Sequence, residues 1–373
     1  MRRIAHLTTV HGRKDVRIFH KECLTLAEAG YEVHEIVADG KGNEQAGPVT
    51  IHDIGKSQGR LARMLLKPIS MYRAARRLNA DVYHFHDPEL LPVGMLLCLR
   101  GKQVIYDAHE DVPRQILSKV WIASPLRRTI SWLFERVEHF AARRLSAIVT
   151  ATEHIANRLA RHNPRTQAIH NYPILSELTA TSPEPATLPS KDGRTLCYIG
   201  GISATRGAVE MVAALERMDA RLLLAGSFET AALQAQLQTM PGWQKVDYRG
   251  ILPPNEIPAL LAQADIGLVL LHPTPSYVES LPIKMFEYMA NGVPVLASDF
   301  ALWRTILGDQ GAGRFVDPLN VDAIAQAATA LLADTATRQH MADIGRQQVQ
   351  KGLHWQPEGK HLVALYAQLG LHK

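Results

Sequence analysis

Short β-rich runs alternate with helical ones twice along this chain, and a Pro/Ser/Thr-rich break separates the two series. In the first, RIAHLTTV reads as a strand and Val16 to Ala29 as a helix stopped by Gly30. The strands YEVHEIVA, DVYHFH, QVIYDAH and LSAIVTAT follow, with helical segments between them. The break falls at 172–194, and then TLCYIGG, ARLLLAGS, KVDYRG, DIGLVLL and VPVLASD resume the rhythm. Strands that alternate with helices bury their apolar faces as a parallel sheet covered on both sides. The expectation is therefore two doubly wound α/β domains, 1–171 and 195–352, joined by a linker at 172–194. Ligands of such sheets bind beyond the carboxyl ends of the strands, so the residues just after each strand are the ones to read.

Composition narrows the setting. The chain has 373 residues, 46% hydrophobic and 21% charged, which is ordinary for a globular protein. Cys23, Cys98 and Cys197 have neither metal nor redox spacing and fit buried thiols in a reduced compartment. The N-terminus lacks the pattern of a signal peptide, and the apolar run at Leu90–Leu99 is about half of what a spanning helix needs. A cytoplasmic protein is expected. The net charge of +5 is uneven: residues 1–170 hold 26 Lys+Arg against 17 Asp+Glu, and the remainder holds 15 against 19. A basic first half predicts an anionic ligand or surface there. Two basic segments, from Lys56 and from Ser118, carry much of this charge. The second interleaves Trp121, Trp132 and Phe134 with Arg127, Arg128, Arg143 and Arg144. Such segments suit the inner face of an anionic membrane, or else a core-facing helix with a solvated basic side. No nucleic-acid recognition motif is present.

The stretch YVESLPIKMFEYMANGVPV, Tyr277 to Val295, holds two glutamates eight positions apart, Glu279 and Glu287, with Lys284 inside an apolar run. It follows a strand and predicts a helix over Ile283–Ala290, with Pro282 at its start and Asn291-Gly292 as its stop. Amides at that start, near Ser280, Leu281 and Ile283, can face an anion. A carboxylate pairs with two vicinal hydroxyls, so two carboxylates flanking an anion site suit a sugar on one side and a ribose on the other.

With its loop, helix and strand, this stretch resembles the E-x7-E segment of retaining glycosyltransferases of family 4, which have the GT-B fold. The resemblance implies two Rossmann-like domains facing across a cleft. It implies contact of Glu279 with a donor sugar and of Glu287 with the nucleotide ribose. The family usually has Phe-Gly where Leu281-Pro282 stand. A second match is CYIGGISATRGAVEMVAAL, where small residues at Gly200 and Gly201 let a pyrophosphate approach and Arg206 can pair with its oxygens. Gly201 stands where the family usually has arginine, and Lys284 is expected to supply the missing cation. Snorkelling at the surface is the other reading of that lysine. A third match, LLLAGSF with VDYRGILPPNEIPALLAQADIGLVL, places Gly226, Gly250 and Ile251 near the base. The C-terminal HWQPEGKHLVALYAQLGL, within 353–373, resembles the family helix that crosses back to the first domain.

In the first half, His109 stands where the family carries a histidine near the donor sugar, and Glu110 follows it. His84, His86 and Asp87 lie after or along another strand. Two histidines on one face suggest a metal, but no third or fourth ligand appears at suitable spacing, so His86 and Asp87 are read as cleft residues. The turn after the first strand carries Gly12, Arg13, Lys14 and Asp15, which could hold an anionic acceptor such as a lipid-linked diphosphate sugar or could be a solvated loop.

The resemblance implies a metal-independent hexosyl transfer with retention, and the absence of an Asp-x-Asp motif agrees with it. It implies that the donor phosphate takes the acceptor proton and that no side chain acts as nucleophile. No cofactor is expected beyond the donor itself, a UDP-sugar ahead of a GDP-sugar. The acceptor would be a glycan, free or lipid-linked, of a bacterial surface polysaccharide. A nucleotide-sugar 2-epimerase of the same fold, and a binding subunit of a polysaccharide-assembly complex, are the rival readings.

Overall fold

The computed structural model describes residues 1–57, 59–119, 122–176 and 193–370. Most of the expected linker, from 177 to 192, lies outside the described residues, as does Trp121. The chain forms two compact units, Met1–Asn171 with Gln356–Lys373, and Tyr172–Trp355.

The first unit is built on eight strands: β1 (Arg3–Leu7), β2 (Glu32–Val37), β3 (Glu44–Ala46), β4 (Val49–Asp53), β5 (Val82–Phe85), β6 (Gln103–Ala108), β7 (Ala147–Thr150) and β8 (Thr166–Ala168). Their order is β3-β4-β2-β1-β5-β6-β7-β8. All pairs are parallel except β3 with β4, a hairpin whose turn holds Gly47 at φ +59°. This short hairpin is additional to the strands expected from the sequence, because EQAGPVT has no alternating apolar run. Strand alternation sends Ala5, Leu7, Tyr83, Phe85 and Tyr106 into an apolar core on one face. The opposite face is also buried but polar: His6, His84, His86 and Asp107 are at most 1% exposed. His6 and His84 are register partners on neighbouring strands.

The segment over that polar face differs from the expected regular helix. Val16–Cys23 is a π-helix that continues as an α-helix over Leu24–Glu28. The carbonyl of Asp15 accepts from both Phe19 N and His20 N, at 2.9 and 3.2 Å. In a π turn residues five apart share a face. Arg17 and Glu22 thus both point inward, and both are buried. The C-terminal helix Trp355–Gln368 lies in the first unit from Gln356 onward, where Tyr366 Oη reaches His84 Nδ1 at 3.0 Å.

The second unit is wholly parallel, with β9 (Thr195–Ile199), β10 (Arg221–Ala225), β11 (Val246–Gly250), β12 (Ile266–Val269), β13 (Val295–Ser298) and β14 (Gly313–Val316) in the order β11-β10-β9-β12-β13-β14. Alternate residues of β9 feed two separate cores, Leu196 and Tyr198 into one, Cys197 and Ile199 into the other. Both faces are therefore buried, which explains why these strands read as continuous apolar runs. The order reverses between β9 and β12, and the crevice beyond the carboxyl ends at such a reversal is where open α/β sheets bind ligands. In the first unit the same reversal falls between β1 and β5.

Candidate functional site

In the second unit the reversal gathers the residues singled out after β9 and β12. Gly200 leaves β9 at φ +104°. Gly226 approaches so closely that a Cβ on it would stand 1.9 Å from the Gly200 carbonyl oxygen, so only glycine fits. Gly226 N donates to Gly250 O at 2.7 Å, and Ile251 beyond it is 76% exposed. Gly207, at φ +78°, starts the helix Ala208–Leu215 against the end of β12, where a Cβ would meet Leu270 O at 2.3 Å.

The helix Ile283–Ala290 has the bounds the sequence predicts, with Pro282 as its N-cap residue. Its placement depends on Tyr288 and Gly267. The buried Tyr288 hydroxyl accepts from Ile199 N at 3.1 Å, and a Cβ on Gly267 would lie 2.3 Å from the Tyr288 ring. Bare backbone at 267 lets the helix lie on β12. Its first turn then brings Lys284 to the end of β9. The preceding loop is held by Trp303 Nε1, which donates to Ser280 O at 2.8 Å, and by Ser280 Oγ, which donates to Tyr277 O at 2.9 Å. Glu279, Leu281 and Glu287 are half-buried.

Lys284 does not snorkel. It is 9% exposed, and its Nζ sits 3.5 Å from the centroid of the Tyr198 ring. That Nζ makes no hydrogen bond, and a Cβ on Gly200 would stand 3.2 Å from it. Burial drives its pKa well below the usual lysine value, the Arg206 charge adds to this, and Glu287 opposes it. Arg206 lies alongside: a Cβ on Gly201 would be 2.8 Å from its Nη1, which also stands 3.4 Å from Gly201 O. The guanidinium thus occupies the space that a side chain at 201 would take. Two basic side chains therefore converge on the Gly200-Gly201 turn, one of them buried without an anion. Sequence reasoning missed Tyr198, Tyr277 and Tyr288, whose spacing resembles that of any core aromatic.

In the first unit the structure redistributes the acceptor-side residues. Arg13 is corrected to a structural role. It donates to Asp39 through Nε and Nη2 at 2.8 and 2.7 Å, to Glu44 at 2.8 Å and to Gly42 O at 2.8 Å. Its guanidinium is spent on fastening the loop. Asp15 is likewise a cap, accepting from Arg17 N and Ile18 N at 2.8 and 3.0 Å. Lys14 remains exposed, and an open pocket of about 650 Å³ is lined by Gly12, Arg13, Lys14, Asp15, Lys41 and Glu44, so Arg13 and Asp15 border it even while they fasten the loop. His86 and Asp87 are not wall residues. Asp87 is 1% exposed and holds the turn after β1, accepting from Thr8 Oγ1 at 2.9 Å and Val10 N at 3.2 Å. His86 is inside the polar face, its Nδ1 3.0 Å from Asp107 Oδ2.

His109 is half-buried, with Nδ1 3.3 Å from Asp107 O and 3.4 Å from its Oδ2, and Glu110 is exposed. Asp107 fixes the Nδ1–H tautomer and leaves Nε2 outward. Burial pushes the Asp107 carboxyl up, but the Arg17 guanidinium, bound through Nε and Nη2 at 2.7 and 2.8 Å, and the neighbouring histidines hold it well below the usual range. The expectation that no further ligands flank His84 and His86 also needs correction. Tertiary structure brings His6 and Glu22 to them, and the nearest ligand atoms of the four lie within 4.8 Å of one another. No sequence spacing could have revealed that.

Comparisons with known proteins agree with this architecture. Residues 183–348 match the family described as Glycosyl transferases group 1, and residues 16–172 match Glycosyltransferase Family 4. Sucrose-phosphate synthase from Thermosynechococcus elongatus superposes with a TM-score of 0.78 at 19% identity, over 99% of each chain. Anabaena HepE, in complex with UDP and glucose, gives 0.73 at 13%, over 99% of this chain and 100% of that one. WaaG, a glycosyltransferase involved in lipopolysaccharide biosynthesis, gives 0.73 at 15%, over 97% and 99%. These likenesses establish the GT-B fold. Among curated relatives, TuaH of Bacillus subtilis (strain 168), assigned to teichuronic acid biosynthesis as a glycosyltransferase, is 24% identical over 53% of this chain. O-antigen chain mannosyltransferase B of Escherichia coli is 33% identical over 27%. The chain spans 50% of the length of the first and 24% of the second. Two family matches in series, on a GT-B fold, support a group 1 glycosyltransferase.

Proposed function

We propose that the chain transfers a hexosyl unit from a nucleotide-diphosphate sugar to a glycan acceptor in surface-polysaccharide synthesis, with retention of configuration and without a metal. The observation that carries this reading is the buried Lys284 Nζ, which packs on the Tyr198 ring without a hydrogen bond or an anion, beside Arg206 at the β9/β12 reversal. A buried amine without an anion is pushed toward its neutral form, and a diphosphate is an anion of suitable size to bring the charge back. In this reading Arg206, Lys284 and the amide of Ile283 hold the diphosphate and stabilise it as it departs. Glu279 binds the donor sugar and Glu287 the ribose. Gly250 and Ile251 face the base. The donor phosphate takes the acceptor proton, so no side-chain nucleophile is needed. His109, with Nε2 outward, contacts the transferred sugar. Lys14 and Glu110 remain candidates for the acceptor.

UDP is the first donor nucleotide to test, because HepE holds UDP and glucose on this fold; GDP is the second. A membrane-borne acceptor is favoured by one surface of the first unit. On the helix Ser124–Ala142, the side chains of Leu126, Ile130, Leu133, Val137 and Phe140 form an exposed stripe at helical spacing. Arg144 lies over the Phe140 ring and Arg136 over Trp132. The apolar stripe faces out rather than into the core, and arginines flank it, as on a helix that rests on anionic lipid. No described helix is long and apolar enough to cross a membrane.

The test is a thermal-shift and calorimetric screen of UDP, GDP and ADP with their sugars, without added metal. One nucleotide should stabilise selectively. Glu279→Ala and Glu287→Ala should each weaken its sugar conjugate by at least about tenfold while melting near the native temperature. Unchanged affinity in both variants would remove the donor assignment. Retention is read from the anomeric configuration of the product by NMR. Interconversion of the donor without acceptor would favour the epimerase, and nucleotide binding without turnover the binding subunit.

A further inference from the structure

The first unit contains a second cluster of chemically capable groups, and the transfer reaction has no use for it. His6 from β1, His84 from β5, His86 just beyond it and Glu22 from the π-helix meet on the buried polar face, all at most 1% exposed. Glu22 is the unusual member. Its Oε1 is ion-paired with Arg17 Nε at 3.2 Å, and its Oε2 makes no hydrogen bond. Its Oε2 stands 3.8 Å from His6 Nδ1, 3.6 Å from His84 Nδ1 and 4.0 Å from His86 Nε2. A carboxylate seeking a hydrogen bond would close on one ring to about 2.8 Å. Here Oε2 is held almost evenly from three ring nitrogens, of which His84 Nδ1 also meets Tyr366 Oη at 3.0 Å, and a buried oxygen left so calls for an unseen partner.

We propose that His6, Glu22, His84 and His86 bind a divalent first-row transition metal, zinc foremost, as a closed site with four protein ligands. Tetrahedral zinc with nitrogen and oxygen ligands near 2.0–2.1 Å spaces those ligands about 3.3 Å apart. The separations start at 3.0 Å between His6 Nδ1 and His86 Nε2, run from 3.6 to 4.0 Å between Glu22 and the three rings, and none exceeds 4.8 Å, so loading requires the ligands to draw in by up to about 1.5 Å. Three imidazoles and one carboxylate suit zinc, cobalt or nickel rather than calcium or magnesium. The surroundings fit as well. A metal-bound imidazole commonly donates its other N–H to a carboxylate, and His86 Nδ1 is 3.0 Å from Asp107.

The site pins β1, β5 and the π-helix together, directly beneath the Asp107–His109 pair. With four protein ligands it has no open position for substrate, so it is structural and is independent of the donor reading. It leaves the metal-free transfer proposed above intact.

The experiment uses the full chain, expressed without a histidine tag and purified without chelator. Elemental analysis should find close to one zinc per chain. Refolding with cobalt in place of zinc should give visible absorption bands typical of tetrahedral coordination. X-ray absorption on the metal-loaded chain should show a nitrogen/oxygen shell with about three imidazoles. Glu22→Gln and His84→Ala should each bind at least about tenfold less metal. A folded native chain with under a tenth of an equivalent of metal, and with no cobalt bands after refolding, would overturn the proposal and leave a shared proton as the balancing charge. Full metal retention in a folded His84→Ala variant would also overturn it, by placing the metal elsewhere. If either variant fails to fold, the native stoichiometry and the absorption spectrum still decide.

Discussion

Lys284 shows how one residue can be read correctly in kind but not in setting. The sequence presents a lysine in an apolar run, and its two readings were a phosphate ligand and a surface lysine. The structure removes the second by burying the side chain over Tyr198. A testable consequence concerns protons. Above its lowered pKa the free lysine is neutral, and an anion beside it favours the protonated form, so binding should take up a proton. Nucleoside-diphosphate affinity should therefore weaken as pH rises through that lowered pKa. Calorimetry in buffers of different ionisation enthalpy should register the uptake, and Lys284→Ala should abolish it while losing diphosphate affinity more than nucleoside affinity. An affinity flat with pH, and no uptake, would count against Lys284 as the diphosphate cation. Arg13 is the opposite case. Its charge was legible, but Asp39 and Glu44, which consume it, come from strands and turns about thirty residues away.

At the scale of elements, the helix Ile283–Ala290 was fully legible because its signals are local: a proline at the start, Asn-Gly at the end and an apolar periodicity between them. What positions it was not legible, since Gly267 looked like any strand glycine. Gly267→Ala should push on the Tyr288 ring, lower stability by about 1–3 kcal/mol and weaken diphosphate binding through Lys284. Denaturant unfolding with a parallel binding titration separates the two effects; a variant of native stability and affinity would show that the helix does not depend on the bare backbone. The helix Ser124–Ala142 makes a second prediction. Leu133→Asp with Val137→Asp should cost little stability, because both side chains are exposed. The pair should reduce flotation with anionic vesicles by at least about tenfold, with little change on zwitterionic ones. Equal flotation of variant and native chain would return the stripe to plain surface. The π-helix at Val16–Cys23 was read as a regular helix, since the extra residue per turn that turns Arg17 and Glu22 inward has no local sequence signature.

At the scale of the whole molecule, the C-terminal segment is part of the first unit although it is last in sequence. Leu362, Leu365 and Tyr366 are at most 2% exposed, and Glu358 accepts from His170 N at 2.8 Å. Deleting residues 356–373 should lower the calorimetric melting temperature of the first unit by more than about 4 °C and leave that of the second nearly unchanged. Equal destabilisation of both would mean that the segment serves the chain more broadly. The sequence by itself determined the two α/β series, the strand-end positions of Gly200 and Gly201, and the bounds of the helix Ile283–Ala290 that carries Lys284 and Glu287. Each of these is written in residues within about ten positions of one another, where turn chemistry and periodicity act directly. Only the tertiary structure decided that Arg206 fills the space beside Gly201, that Arg13 is tied to Asp39 and Glu44 and Asp15 to the start of the π-helix, that His86 and Asp87 are internal, and that His6, Glu22, His84 and His86 share one centre. Parallel strands pair through long crossovers, so neighbours in the sheet are distant in sequence, and which side chains meet on a face follows from register rather than from any local signal.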